Sequence, residues 1–254
     1  MRTLLTGSTG FIGSALLWKL PGEVDTWDGD IRALASDKKY NYVYHFAAPS
    51  SQVLFERNPE YCIDTTINGF LSVLEYCRDA GAKLIYPSTG LISTGKHNEY
   101  SMCKYLTEKM AEKSGVETLG LRIYAGYGYG EEHKRDYKSV VSLFMDDILH
   151  DIPPVIWGTG KQTRDFIYID DIVDSVVEMS DRLTGIEEIG SGEPRSFNDI
   201  VKIINRVTKK NIEPVYVDKP DNYIEETRCE RNLTTISLEE GIERMYESYR
   251  HHHH

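Results

Sequence analysis

At 254 residues the chain is long enough for one sizeable domain, or for a nucleotide-binding domain with a small second lobe. Hydrophobic residues make up 40% and charged residues 27%, the balance of an ordinary globule, and a formal net charge of −11 argues against nucleic acid as a partner, since phosphate binding needs clustered Lys and Arg. Cys62, Cys77, Cys103 and Cys229 have no CxxC or CxxH spacing and read as reduced thiols of a cytoplasmic protein, and no apolar run reaches the roughly 20 residues of a membrane helix.

In chain order, Thr3 to Thr6 reads as a short buried strand, reached too soon after Met1 to leave room for a signal peptide. Gly7 to Gly13 is a glycine turn, and Phe11 to Leu20 a helix stopped by Pro21-Gly22. Glu23 to Trp27 and Asn41 to Ala47 are further strands. Pro59 opens a long helix to Ala80 with apolar positions Ile63, Ile67, Phe70, Leu71 and Leu74, and Gly81 caps it. Lys83 to Tyr86 is a strand, Tyr100 to Ser114 a helix, and Thr118 to Tyr124 a strand again. Strand and helix in alternation predict an α/β fold with a doubly wound parallel sheet of Rossmann type.

Beyond Tyr124 the pattern changes. Ala125 to Gly130 reads as a flexible aromatic loop, Ser139 to His150 as a helix, and Pro153-Pro154 as a break before Val155-Ile-Trp157. Phe166 to Ile169 is a strand leading to Asp170-Asp171 at a helix N-terminus, and Ser196 caps a helix that ends at Lys209-Lys210. Residues 1–124 are expected to form a dinucleotide-binding Rossmann domain to which 160–183 returns. Residues 125–159 and 184–250 are expected to form a small C-terminal substrate-binding lobe, and 251–254 read as the remains of a purification tag.

The chemistry concentrates in a few places. Gly7, Gly10 and Gly13 follow a strand and open a helix, so the backbone of Phe11, Ile12 and Gly13 can approach a pyrophosphate that the helix N-terminus attracts. Tyr100 and Lys104 are four residues apart and share a helix face, where an ammonium favours the ionised phenol. Taken alone, that pair would be a solvated helix face, and Ser88 and Thr89 upstream would be strand-end capping hydroxyls. Beside a dinucleotide turn they become equipment for hydride chemistry on an alcohol. No His, Cys, Asp and Glu cluster has metal-ligand spacing, so no metal site is expected.

Thr6-Gly-Ser-Thr-Gly-Phe-Ile-Gly13, Gly29-Asp-Ile-Arg32, His45-Phe-Ala-Ala48, Tyr86-Pro-Ser-Thr89, Tyr100 with Lys104, Leu121-Arg122, Gly158-Thr-Gly-Lys-Gln-Thr-Arg-Asp-Phe-Ile-Tyr168 and Gly190-Ser-Gly-Glu-Pro194 follow one another over about 1–210. In these the chain resembles the extended short-chain dehydrogenase/reductase family, in particular its NAD-dependent sugar-nucleotide epimerase/dehydratase group. The resemblance implies NAD as cofactor and a nucleotide sugar as substrate. Tyr100 would be the general acid/base. Lys104 would hold the nicotinamide ribose and lower the Tyr100 pKa. Thr89, with Ser88 beside it, would bond the reacting sugar oxygen. Phe46, Ala47 and Ala48 would line the cofactor channel, with Tyr124 and, where the family often has Asn, Thr65. Arg164 would grip the substrate diphosphate. The family's second arginine region is replaced by Lys219-Pro-Asp-Asn222.

At the adenosine end two readings stand. Either Asp28 accepts from the ribose 2′-hydroxyl, which favours NAD over NADP, or Asp30 and Ile31 contact only adenine and Asp28 is solvated, because the usual helix and strand between these segments have nearly vanished. The dehydratases of the family place Asp-Glu directly after the active-site Thr, whereas Gly90-Leu91 stands here. The expectation is therefore an epimerase of a nucleotide-diphosphate sugar, a UDP-hexose 4-epimerase. The alternatives are an NDP-4-keto-sugar reductase of the same family and a non-catalytic dinucleotide sensor. The resemblance also implies a homodimer, paired through the helices that begin near Pro59 and Tyr100.

Overall fold

The computed structural model describes residues 1–221 and 223–252, so Asn222 and the last two residues of the expected tag, His253 and His254, lie outside the described residues. The chain divides into two compact units, Met1–Ile123 with Val173–Glu188, and Tyr124–Ile172 with Ile189–His254. The segment that rejoins the first unit is thus Val173–Glu188 and not the expected 160–183. The difference arises because Gly185–Ile189, which lacks the alternation of a solvated strand, adds the last strand to the sheet of the first unit.

In the first unit β1 (Arg2–Thr6), β2 (Glu23–Trp27), β3 (Tyr42–His45), β4 (Lys83–Thr89), β5 (Thr118–Ile123) and β6 (Gly185–Ile189) form one parallel sheet in the order β6-β5-β4-β3-β1-β2. The order reverses at β1, whose neighbours are β2 on one side and β3 on the other. Only a 3-10 turn, Ile31–Ala33, and an irregular stretch connect β2 to β3, which leaves β2 at the sheet edge. Leu4, Val43 and Leu84 carry the core in successive strands, and Phe70, Val73, Leu74 and Cys77 pack on it.

The helices of this unit are α1 (Phe11–Lys19), α2 (Gln52–Arg57), α3 (Pro59–Ala80) and α4 (Glu99–Lys113). The α2 helix was not expected. Ser51 caps it, its hydroxyl accepting from the Leu54 N–H at 3.3 Å. Gly81 ends α3 in the left-handed conformation (φ +68°), as anticipated. The expected apolar stripe of α3 needs correction. Phe70 and Leu74 are buried together with Cys62, Thr66, Gly69, Val73 and Cys77, whereas Ile63 and Leu71 are 40% and 42% exposed. Two apolar faces of one long helix had been read as one. Asn98 opens α4 with a capping box: its side chain accepts from the Ser101 N–H at 2.9 Å, and its own N–H donates to Ser101 Oγ at 3.0 Å.

The second unit is built on α5 (Val140–Leu149), α6 (Ile169–Arg182, whose C-terminal part lies in the first unit), α7 (Phe197–Thr208) and α8 (Leu238–His252). Three strand pairs accompany them: Ala125–Tyr127 with Phe166–Tyr168, Val155–Trp157 with Val215–Val217, and Thr163–Arg164 with Arg195–Ser196. The expected aromatic loop at 125–130 therefore begins as a strand. Tyr127 is buried, edge-on to Phe166 and Tyr168, which draws the segment into the core. Buried carboxylates organise the unit. Asp165 accepts from the N–H groups of Ser191, Gly192 and Cys229 and from the Ser191 hydroxyl, at 2.6–2.9 Å. Asp171 does the same for the backbone of Thr235 and Ile236, each at 3.0 Å.

Candidate active site

The carboxyl ends of β1 and β3 meet where the strand order reverses, the place at which open α/β sheets take up ligands. Gly7 has φ +75°, and a Cβ there would lie 2.5 Å from the carbonyl carbon of Phe46. Only glycine therefore allows the turn after β1 to touch the segment after β3. A Cβ on Gly13 would collide with the Gly7 carbonyl, so this glycine lets the first turn of α1 pack on the loop. Gly10 is the N-cap of α1, brings no side-chain cap, and no acidic residue stands in the first turn. Such a helix start presents a positive dipole end without a carboxylate of its own first turn to answer it.

Thr6 joins this turn to β3. Its hydroxyl pairs with His45 Nδ1 at 3.0 Å and accepts from the Ala47 N–H at 3.3 Å. Strand β3 stops at His45, so Phe46, Ala47 and Ala48 form a half-buried connection beyond the strand. Burial, together with the charge of Lys104, pushes the His45 pKa down to about 3, which keeps the ring neutral.

Thr89 is the last residue of β4 and the N-cap of the following 3-10 turn, accepting from the Leu91 N–H at 3.3 Å. With that lone pair used, its proton remains to donate, and the Tyr100 phenol lies within its hydrogen-bonding reach. Tyr100 sits in the first turn of α4 with Phe55 of α2 edge-on at 5.6 Å between ring centres. Lys104 follows one turn later, only 5% exposed. Its ammonium has no hydrogen-bond acceptor among the described residues, and burial pushes its pKa down to about 8.

Two expectations change here. Lys104 was expected to lower the Tyr100 pKa. Instead burial pushes Tyr100 up to about 12, and the group that opposes this is Thr89. The phenol and the ammonium rise one turn apart along the helix, and burial of each outweighs any help between them. Ser88 was expected beside Thr89 in the reaction. Consecutive strand residues point to opposite faces, and the Ser88 hydroxyl is spent on Glu108 Oε1 at 2.5 Å.

At the adenosine end, Asp28 is exposed. The Asp30 carboxyl is held at about 2 by hydrogen bonds from Arg32, whose other face meets Asp64 at 2.5 Å. The Ile31 side chain is buried in the core, against Gly69 of α3. Thr65 is buried, and its hydroxyl has no hydrogen-bond partner among the described residues.

Tyr124 and Arg164 belong to the second unit. Tyr124 is buried and bonds the Ile189 carbonyl through its N–H at 3.0 Å. The Arg164 guanidinium lies over the rings of Phe197 and Tyr223, 5.6 and 5.4 Å from their centres, and donates to the Thr163 carbonyl at 2.8 Å. It forms no ion pair with Asp165 or Asp170. Asp165 serves the backbone as described, and Asp170 accepts from Tyr129 and Arg244. Among the aromatic residues of this unit, Tyr127 is core, and Trp157, 48% exposed, stands edge-on to Tyr223. Glu108, Arg122, His45 and Thr6 bond to or among the candidate residues, and the sequence had not singled them out. His45 and Arg122 fell within quoted motifs, but only the fold showed what they bond.

The bare α1 terminus, the close approach permitted by Gly7 and the unanswered Lys104 ammonium suit a dinucleotide: pyrophosphate at the first, ribose hydroxyls at the last. These features make this a candidate dinucleotide site on a Rossmann fold. Residues 21–190 match the family described as NAD dependent epimerase/dehydratase family. The chain belongs to that family, and its cofactor is NAD. The glycine turn precedes the matched residues and so rests on its own geometry.

Among curated relatives, the chain is similar to a protein of Methanocaldococcus jannaschii provisionally assigned as a UDP-glucose 4-epimerase, 28% identical over 295 residues that cover 95% of this chain and 96% of that one. It is also similar to a UDP-glucuronate 4-epimerase of Thermodesulfobacterium geofontis (30%; 80% and 70% covered) and to UDP-glucuronic acid decarboxylase 1 of Arabidopsis thaliana (27%; 98% and 70% covered). The fold is that of the crystal structure of a UDP-glucose 4-epimerase with UDP-glucose from Thermotoga maritima, with a TM-score of 0.90, 24% identity and both chains fully covered.

Proposed function

We propose that the protein is a UDP-hexose 4-epimerase. The observation that carries this is the Thr89 hydroxyl on the Tyr100 phenol, with Lys104 one turn further along α4. Tyr100 Oη, in its ionised form, takes the proton of the sugar C4 hydroxyl and later returns it, while with substrate bound the single Thr89 proton turns from the phenol to the same sugar oxygen. Lys104 holds the ribose of the cofactor, and the pyrophosphate rests on the first turn of α1. NAD, when bound, supplies the acceptor for the C4 hydrogen and its return. Arg164, which forms no salt bridge among the described residues and is backed by two rings, is suited to grip the diphosphate.

Gly90-Leu91 after Thr89 supplies no carboxylate for elimination, and the carboxylate that approaches β4, Glu108, is committed to Ser88 and Arg122. Both points favour epimerisation over the dehydration and decarboxylation of some relatives. Incubation with UDP-glucose, UDP-galactose and UDP-glucuronate tests the reading: interconversion at C4 supports it. Release of CO2, or consumption of NADPH with a 4-keto sugar, replaces it with decarboxylase or reductase.

The protein acts in the cytoplasm as a homodimer in this reading. Its four cysteines are buried. Ile63 and Leu71 on α3 and Met102, Tyr105 and Leu106 on α4 are each at least 40% exposed, giving the two helices an outward apolar stripe at helical spacing. Light scattering should give twice the chain mass, and Met102→Glu with Leu106→Glu should halve it; a wild-type monomer rejects the dimer.

A further inference from the structure

We propose that Glu108 is a positioning residue for the reaction, acting through Ser88 and Arg122 on the Thr89–Tyr100 pair; the proposal deepens the functional reading above and rests on it. Glu108 lies one turn beyond Lys104 and two beyond Tyr100, on the same face of α4, and is 4% exposed. One carboxylate oxygen accepts from Ser88 Oγ at 2.5 Å and from Arg122 Nε at 2.9 Å, and the other accepts from Arg122 Nη2 at 2.8 Å. The remaining fork of Arg122 donates to Ser93 Oγ at 3.3 Å, and Ser93 donates to Glu188 Oε1 at 2.8 Å.

The placement of these bonds gives them their meaning. Ser88 immediately precedes Thr89, and Ser93 lies in the 3-10 turn that Thr89 caps. Arg122, on β5 beside Ser88 in the parallel register, therefore anchors the Thr89 turn on both flanks, at Ser88 through Glu108 and at Ser93 directly. The same carboxylate is rooted in the helix that carries Tyr100 and Lys104. A buried, bidentate pair has one geometry, so it sets the spacing between the strand bearing the hydroxyl and the helix bearing the phenol. A misplacement of about 1 Å at such a pair can lower a rate by about 100-fold.

The test uses the full chain with bound NAD. Ser88→Ala leaves the Glu108–Arg122 pair intact and cuts its tie to β4; Glu108→Asp keeps the charge and shortens the reach. Each should lower kcat about tenfold, leave KM for the UDP-sugar within twofold and leave the retained NAD unchanged. The double variant should be no slower than the slower single one, because both cut the same tie. A direct role for Ser88 on the sugar instead makes the two losses multiply, and wild-type kcat in both single variants also overturns the proposal. The Tyr100 signal in 13C-tyrosine NMR, assigned with Tyr100→Phe, gives a readout independent of turnover. It should shift in both variants as the Thr89 bond is disturbed, and an unshifted signal overturns the positioning role. A wild type that turns over no nucleotide sugar, with the NMR shifts present, removes the epimerase reading and leaves the geometric one standing.

Discussion

The hydroxyl of Thr89 and the phenol of Tyr100 are brought together from the end of a strand and the start of a helix, eleven residues apart in the chain, and the hydroxyl is what eases ionisation of a phenol that burial makes reluctant. With the phenol pKa raised to about 12, Tyr100 in the ligand-free protein is protonated at neutral pH. Replacing it should remove the proton shuttle and little else. Tyr100→Phe is expected to lower kcat for UDP-sugar interconversion by about 10²–10⁴-fold with NAD retention unchanged. A coupled assay on the purified variant checks this, and near-normal turnover would place the acid/base elsewhere.

Lys104 sets function against stability. Its buried ammonium titrates at about 8 in the folded protein, against 10.5 for a free lysine. Below about pH 8 both states carry the charge, and the folded state bears its full burial penalty. As pH rises from 8 towards 10.5 the folded state sheds its proton first, and the penalty is relieved. Lys104→Met should therefore stabilise the cofactor-free protein at pH 7 by on the order of 2–3 kcal/mol, with the gain shrinking above pH 8, while turnover is lost. Urea unfolding of both proteins at pH 7 and pH 10 measures it.

Two glycines should behave differently although only one has an unusual backbone angle. Gly81 has φ +68° but open space around its Cβ position, so Gly81→Ala should cost about 1 kcal/mol and leave NAD binding intact. Gly13 is helical, yet a side chain there strikes the Gly7 carbonyl, so Gly13→Ala should cost about 3 kcal/mol or more and release the cofactor. Thermal melts with and without added NAD separate the two.

Arg164 should act on substrate affinity. Arg164→Ala is expected to raise KM for the UDP-sugar about 10- to 100-fold with kcat little changed, and to lower the melting temperature through its lost ring contacts and its bond to Thr163. Initial rates at saturating and limiting substrate decide between this and a purely structural role, which would lower Tm and leave KM unchanged.

Local signals carried much of this protein. The limits of β2 and α3, the capping of α3 by Gly81 and of α7 by Ser196, the glycine turn and the Tyr100–Lys104 spacing were all legible, because caps, turns and helical periods are written in neighbouring residues. What tertiary structure alone decided concerns residues far apart in sequence. It turned Ser88 to Glu108 and Thr89 to Tyr100, sent Ile63 and Leu71 outward, drew Tyr127 into a core, and brought Val173–Glu188 back to the first sheet. It also reversed the expected influence on the phenol. A four-residue spacing says that two groups share a helix face, but the pKa of each depends on how deeply the packed fold buries it, and that depth is a property of the elements laid over the helix.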